Sequence, residues 1–361
     1  MTSVTPLLGR DQVAIGVDTH KDFHVAVALN GHGARLGELT FPANRCGIDQ
    51  LKQWSRELGP VANWGIEGTS SYGAGLTRQL LADGQHVVEV NRPDRHARRT
   101  LGGKTDPIDA EAAARAALSG RASTTPKSGD GRVEMLRHVR MARSSAVKAK
   151  TVAMNQLKAV LITAPAPLRE RLEVLTTARL VDACCALPIS DELTLEATVN
   201  STLRTLATRW RALNTEALTQ HKLLVRLVEA HAPKLLAEHG VGPDTAAALL
   251  ITAGDNPHRL HSEAAFAALC GASPIPASSG KTDRHRLNRG GDRQANAALH
   301  RIVLVRLVHH EETKKYMAAH RTPNKSNSLH VMRCLKRYLA RRLYPLIVEA
   351  ATQPQPQRAV A

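Results

Sequence analysis

Two aspartates at the start of a predicted helix are spaced so that they could bind a metal ion together. Asp106 and Asp109 lie in the stretch KTDPIDA (104–110), which opens an alanine-rich run through Leu118. Helical positions three apart are surface neighbours, so both carboxylates face the same way and can share a divalent cation. The pattern equally suits an ordinary helix start, with Asp106 as the N-cap and Pro107 in the first position. Acids elsewhere in the chain must decide between these interpretations.

Two further acids are predicted at the ends of β-strands. A mostly apolar strand over residues 13–18 ends at Asp18, and another over residues 61–67 ends at Glu67. Alone, each acid is more typical of a turn. Adjacent strand ends in α/β sheets are where sites form, so the two acids can converge with the helical pair and bind hard cations through oxygen. A pair of Mg²⁺ ions about 3.5–4 Å apart would stabilise the attacking and leaving oxygens of a phosphodiester displacement.

The elements around these acids predict an α/β layer fold with a mixed sheet. Three strands within residues 12–41 precede a helix over 48–58, a strand over 61–67, a helix over 72–81 and a strand over 86–90. This order, with its four acids, resembles the ribonuclease H-like and more narrowly the RuvC-like nuclease fold. His20 and Lys21 closely follow Asp18 and can touch phosphate. Either can equally be an ordinary exposed turn residue, and we favour that interpretation for His20.

Charge and composition favour nucleic acid as the partner. Lysines and arginines number 49 against 32 aspartates and glutamates, a net charge of +17 that attracts polyanions. The few aromatic residues disfavour a base-stacking platform, so phosphate contacts should dominate binding. Five cysteines without zinc or disulfide spacing favour a reduced compartment. Without a long apolar run or a signal segment, we expect a cytoplasmic protein.

The middle of the chain predicts long helices. Residues 120–131 are polar and rich in turn formers, so they predict a connection. The following helix, to about residue 160, is basic and equally suits a DNA backbone or a solvated surface. Residues 172–227 show weak heptad spacing of apolar residues, which predicts a helical arm between two domains.

Two motifs in the last third of the chain can contact phosphate. Gly240 and Gly242 form a G-x-G turn whose amides can approach DNA, as in helix-hairpin-helix modules, although such turns are also common helix connectors. Ser278 and Ser279 precede Gly280 in a loop that is rich in arginine downstream. A serine there can attack phosphorus while guanidinium groups hold the anion, although the bare motif is usually only a flexible loop.

Taken in order, these motifs resemble the insertion-sequence one-ten family of DEDD transposases, whose members are recombinases guided by a bridge RNA. The matching stretches are GVDTHK (16–21), IEGT (66–69) with Tyr72, KTDPIDA (104–110), GVG (240–242) and residues 266–280. The resemblance implies a RuvC-like domain with a trailing basic helix over 10–160, a helical coiled-coil arm over 161–232, a mainly α-helical transposase domain over 233–350 and a disordered tail over 351–361.

The resemblance also implies roles for individual residues. Asp18, Glu67, Asp106 and Asp109 would be catalytic ligands of Mg²⁺, with Mn²⁺ as the alternative. Ser279, with Ser278 as the alternative, would form a phosphoserine link to DNA at a composite site shared with the acids of another subunit. Contacts to nucleic acid would come from nine residues: Lys21, Lys104, Gly240, Gly242, Lys281, Arg284, Arg286, Arg289 and Arg293.

The partners implied are DNA at the element ends and target site, a non-coding bridge RNA, and further copies of the chain as a dimer that assembles to a tetramer. We would then expect association with the nucleoid of a prokaryote. Departures from the family pattern are Gly68 in place of alanine after Glu67 and two serines before Gly280. The rival hypotheses are a RuvC-like structure-specific endonuclease without a covalent intermediate and a non-catalytic nucleic-acid-binding protein.

Overall fold

The computed structural model describes residues 12–91, 105–256, 259–278, 280, 285–320 and 325–352. It divides into two compact units. The first comprises residues 1–133, 253–266 and 351–361, and the second comprises residues 134–252 and 267–350. Lys104, Ser279, Lys281, Arg284 and the predicted tail from residue 353 lie outside the described residues.

The first unit is built on a five-stranded mixed sheet. Strands β1 (Val13–Thr19), β2 (Phe23–Asn30) and β3 (Arg35–Pro42) are antiparallel neighbours, and β4 (Val61–Glu67) and β5 (Val87–Val90) add in parallel on the other side of β1. The strand order is β3-β2-β1-β4-β5. Helices α1 (Arg45–Leu58), α2 (Ala74–Ala82) and α3 (Asp106–Leu118) complete the unit. The predicted elements are confirmed, and the architecture is compatible with a ribonuclease H-like fold.

Helices cover both faces of the sheet, which explains its nearly continuous apolar strands. On β2, Val25 and Val27 pack in a cluster with Ala110 of α3. Their neighbour Ala26 faces a second cluster that contains Leu51 of α1 and Leu76 of α2. Alternate residues of β2 therefore enter different cores. Helix α3 covers one face of the sheet, and α1 and α2 cover the other.

Residues 253–266, from far along the chain, also belong to the first unit and contact the predicted connection over 120–131. That connection itself forms a bridge to β5, where Glu89 N–H donates to the Thr124 carbonyl at 2.8 Å. The Asn256 side-chain amide donates to the Pro126 carbonyl at 2.9 Å, and Asp255 Oδ1 accepts from Val133 N–H at 2.8 Å. The domain layout predicted from the sequence instead includes residues 253–266 in the C-terminal domain.

The second unit is mainly helical. The arm region is helical as predicted: the end of α4 (Arg132–Ile162), α5 (Ala166–Glu173), α6 (Thr177–Cys185) and the start of α7 (Leu195–His231) share one core. The remaining elements of the chain are α8 (Pro233–Leu236), α9 (Pro243–Ala253), α10 (Glu263–Leu269), β6 (Ile275–Pro276), β7 (His285–Arg286), α11 (Arg293–His309), α12 (Glu311–His320) and α13 (Lys325–Thr352). Of these, α10 begins among the residues of the first unit. Among the described residues, none of the helices is both long and apolar enough to span a bilayer.

Candidate active site

Strand pairing places Asp18 and Glu67 on the same face of the sheet. Strands β1 and β4 run in parallel with Gly16 opposite Gly65. Each acid lies two residues beyond its glycine, and side chains two apart in a strand share a face. The two carboxylates therefore leave neighbouring strand ends on the side that faces α3.

The two glycines let α3 lie directly on the sheet. A Cβ atom on Gly16 would lie 2.1 Å from both the Ala110 carbonyl oxygen and the Ala114 nitrogen, and one on Gly65 would lie 2.6 Å from the Ala113 oxygen. Only glycine tolerates such an approach of helix backbone to strand. The approach sets the first turn of α3 beside the end of β1.

Asp106 lies one residue inside the start of α3 and is not its N-cap. The extended residue before the helix is Thr105, with φ −138° and ψ 152°, and its carbonyl accepts from Asp109 N–H at 3.0 Å. The interpretation of Asp106 as the N-cap was therefore wrong: Asp106 is the first helical residue. Its side chain is 39% exposed, whereas Asp109 is buried.

His20 lies between two of the acids, which corrects its interpretation as an ordinary turn residue. Its Nε2 atom lies 3.2 Å from Asp18 Oδ2 and 3.3 Å from Asp106 Oδ1. The ring also packs against Phe23, with centroids 5.1 Å apart. Ligand atoms of Asp18, His20 and Asp106 all lie within 4.8 Å of one another, a spacing that can hold a metal ion. Lys21 is exposed, and its contact with phosphate stays a prediction.

The electrostatics of this cluster suit a cation. Burial raises the pKa of Asp18, His20 opposes that rise, and the charges of Asp109 and Asp106 add to it. Several carboxylates crowded in a half-buried site carry more negative charge than one imidazole offsets. A divalent cation would relieve that repulsion, and oxygen ligands are those that hard cations prefer. The half-buried Glu67 at the neighbouring strand end can add a further oxygen.

The raised pKa of Asp18 predicts a pH dependence of stability in the metal-free protein. A carboxyl group with a raised folded-state pKa stabilises the fold below its unfolded-state pKa, and that contribution is lost as pH rises through the folded value. Wild type should therefore lose stability relative to Asp18→Asn as pH rises from 4 to 7. Urea unfolding in EDTA at several pH values measures this, and a difference that stays constant would contradict it.

In the second unit, the G-x-G turn precedes α9. The N–H of Gly242 donates to Thr245 Oγ1 at 3.0 Å, so it is already engaged rather than open to phosphate. Gly240 has φ +81° and lies close to the backbone of α11, where a Cβ atom would be 3.1 Å from the Ile302 oxygen. Gly240 therefore serves the packing of the turn against α11, whereas a Cβ atom on Gly242 would meet nothing within 4 Å. Phosphate contact by either glycine stays a prediction.

Part of the basic surface of α4 is neutralised within the second unit. Asp244 at the start of α9 accepts from Arg143 at 3.0 Å and lies 3.4 Å from both Arg140 and Arg301. The sequence offered no signal for this pairing, because the partners lie about a hundred residues apart. Arg140 and Arg143 therefore form ion pairs that join α4 to α9.

The serine region forms a short antiparallel ribbon in the second unit. Strand β6 pairs with β7, and Ser278 is exposed just after β6. The predicted phosphate ligands Arg286, Arg289 and Arg293 are also exposed.

Comparison with known families agrees with this architecture. A family model for DEDD transposases of the IS110 type, described as "Transposase", matches residues 15–164, and a model described as "Transposase IS116/IS110/IS902 family" matches residues 232–318. A search of curated proteins found no match. The mixed sheet, its acid cluster and these two matches define a DNA transposase. The chain belongs to the IS110 family of these enzymes, and DNA is therefore its partner.

Proposed function

We propose that this transposase cuts and rejoins DNA strands through a serine–phosphodiester intermediate at a Mg²⁺-dependent site, guided by a bridge RNA. The observation that carries the proposal is the convergence of Asp18, Asp106 and Asp109 beneath the close contact of α3 with β1. Such a cluster has a high electrostatic cost unless it holds a cation, and cation-dependent phosphoryl chemistry is the use that a DNA transposase has for it.

The residues that would hold the cation are Asp18, Glu67, Asp106 and Asp109. Bound divalent ions would neutralise charge on the attacking and leaving oxygens of the displacement. Within the protein itself, α3 holds the helical acids beside the strand acids, because its backbone lies directly against Gly16, where there is no room for a Cβ atom. His20 positions Asp18 and Asp106 by its contacts with both carboxylates.

The proposed nucleophile is Ser279, with Ser278 as its neighbour and alternative. Attack of the serine oxygen on the scissile phosphorus forms a serine–phosphate bond and breaks the bond to the 3′ oxygen. The serine proton is lost, and the leaving oxygen gains a proton to become a 3′-hydroxyl. Because one phosphodiester replaces another, the reverse reaction with a new 3′-hydroxyl rejoins DNA without an external energy source.

Guidance by RNA is supported by the charge of the chain and by its family. A net charge of +17 suits a protein that holds several nucleic-acid backbones. Base pairing between a guide and DNA would read sequence, so that the protein need not do so. We further propose the domain layout given above, except that residues 253–266 pack with the first unit, and a dimer that assembles to a tetramer.

Trapping of a covalent adduct tests the serine chemistry. With a labelled DNA substrate that contains the element end, wild type should yield a protein–DNA adduct that survives denaturation. Ser279→Ala should form less than about a thousandth of that adduct, since no second nucleophile replaces the lost oxygen. Ser278→Ala is the matched control and should retain most of it.

Two outcomes would contradict this assignment. If only Ser278→Ala loses the adduct, the nucleophile is Ser278 and not Ser279. Metal-dependent nicking that survives in both variants, without any adduct, would support a RuvC-like endonuclease that uses water. Sequencing of RNA that copurifies with the protein tests the guide separately from the nucleophile.

A further inference from the structure

A cavity of about 210 Å³ lies in the second unit, between the β6–β7 ribbon and helix α13. We call it the ribbon pocket, and six residues define it: Ser273, Pro274, Arg286, Leu287, Arg333 and Lys336. Arg337 adds a further cationic side chain to its wall, His285 and His330 add imidazole groups, and none of the described residues that line it is acidic. The pocket is therefore positive with apolar patches.

Lys336 is the unusual member of this wall, because it is a buried cation. It is 8% exposed, and its Nζ atom donates to the neutral Asn296 Oδ1 at 2.9 Å. Burial lowers its pKa, and the nearby charge of Arg333 adds to that effect. The described part of the chain gives Nζ no carboxylate partner. A buried ammonium without a counter-ion is costly, so an anion in the pocket would stabilise it.

The ammonium group is held in place by a fixed amide. The Asn296 Nδ2 atom donates to the Cys270 carbonyl at 2.9 Å and to the Gly271 carbonyl at 3.1 Å. These bonds orient the side chain so that its oxygen faces Lys336. The backbone below is tightly packed, because a Cβ atom on Gly291 would lie 2.2 Å from the Gly271 nitrogen. The cation is thus preorganised and loses little freedom when it binds an anion.

The position of the pocket indicates which anion it takes. Ser273 and Pro274 precede β6, and Arg286 and Leu287 lie in and after β7, so these residues bracket the connection that carries Ser278 and Ser279. We propose that the ribbon pocket binds a phosphodiester group of the DNA strand, with Lys336 and Arg333 as the anion's ligands. Its assignment to the strand that is cut rests on the proposed serine chemistry.

Binding measurements without catalysis test the pocket. Fluorescence anisotropy with a labelled 40-base-pair DNA duplex, in EDTA and over a range of salt, gives affinity and the slope of its logarithm against salt. Lys336→Met and Arg333→Gln should each weaken binding about tenfold and lower the slope by about one, as expected for one lost phosphate contact. Lys336→Arg should stay within about threefold of wild type because it keeps the charge.

The matched control removes the same charge elsewhere. Lys222 is exposed on α7, and Lys222→Met should change neither the affinity nor the slope by as much as the pocket variants. Arg333 is exposed, so its replacement tests the pocket even if Lys336→Met fails to fold. Ethylation of single phosphates adds a sharper measurement: one phosphate should impair wild-type binding when ethylated but have little effect on Lys336→Met.

Each result bears on the proposal. If Lys336→Met and Arg333→Gln bind DNA with the affinity of wild type, the proposal is overturned. It is also overturned if these variants lose affinity only for an RNA duplex of the same length. Weakened DNA binding supports it, even if wild type forms no covalent adduct. In that case the pocket stands as a phosphate site while the serine mechanism fails, so the two proposals are tested separately.

Discussion

Asp109→Asn is expected to lower the rate of metal-dependent DNA cleavage at least about a thousandfold while leaving the fold intact. Asparagine has nearly the size of aspartate, so the buried site beside β1 keeps its packing. The substitution removes a proposed cation ligand and one of the charges that raise the pKa of Asp18. Stability without metal should therefore stay within about 1 kcal/mol of wild type, or increase slightly.

Thermal unfolding distinguishes this role from a structural one. In wild type, Mg²⁺ or Mn²⁺ should raise the unfolding temperature above that measured in EDTA, since binding to the folded state alone stabilises it. Asp109→Asn should lose most of that rise. The control is Glu111→Gln on the same helix, which removes the same charge but whose carboxylate pairs with Arg115 at 2.5 Å. An equal metal response in Asp109→Asn and wild type would contradict the metal site.

The sequence predicted the plan of the first unit because its signals are local. Apolar runs that end at Asp18 and Glu67 gave the strands, and the alanine-rich run after Asp109 gave the helix. Those predictions depend on side-chain alternation in strands and on helix periodicity, and both can be seen within a short stretch of sequence. The acids could be expected to converge because strand ends in a mixed sheet meet at one edge.

Two kinds of contact could not be predicted from the sequence. One joins residues that are far apart in the chain, and the other depends on the exact path of a turn. Asp255 accepts from Val133 N–H across 122 positions, and nothing in either stretch indicates the other. The sequence predicts an exposed turn residue at His20, because histidine is common in a polar connection between strands. Its place between Asp18 and Asp106 follows from the path of residues 19–22 and from the approach of α3 to β1.

That approach makes Gly16→Ala the second substitution with a large expected effect. The added methyl group would lie 2.1 Å from backbone atoms of both Ala110 and Ala114, and backbone cannot rotate away as a flexible side chain can. Helix α3 must then move off β1 and open the core around it. We expect the free energy of unfolding to fall by about 3 kcal/mol or more, as measured by urea denaturation.

The effect of Gly16→Ala should reach the acid cluster as well as the core. If α3 moves away from β1, Asp106 and Asp109 move away from Asp18, so the stabilisation by Mg²⁺ should fall even in the molecules that remain folded. The matched control is Gly75→Ala in α2, where an added methyl group meets nothing within 4 Å and should raise stability by up to about 1 kcal/mol. A Gly16→Ala protein as stable as wild type, with a full metal response, would show that close packing of α3 on the strand is not what assembles the four acids.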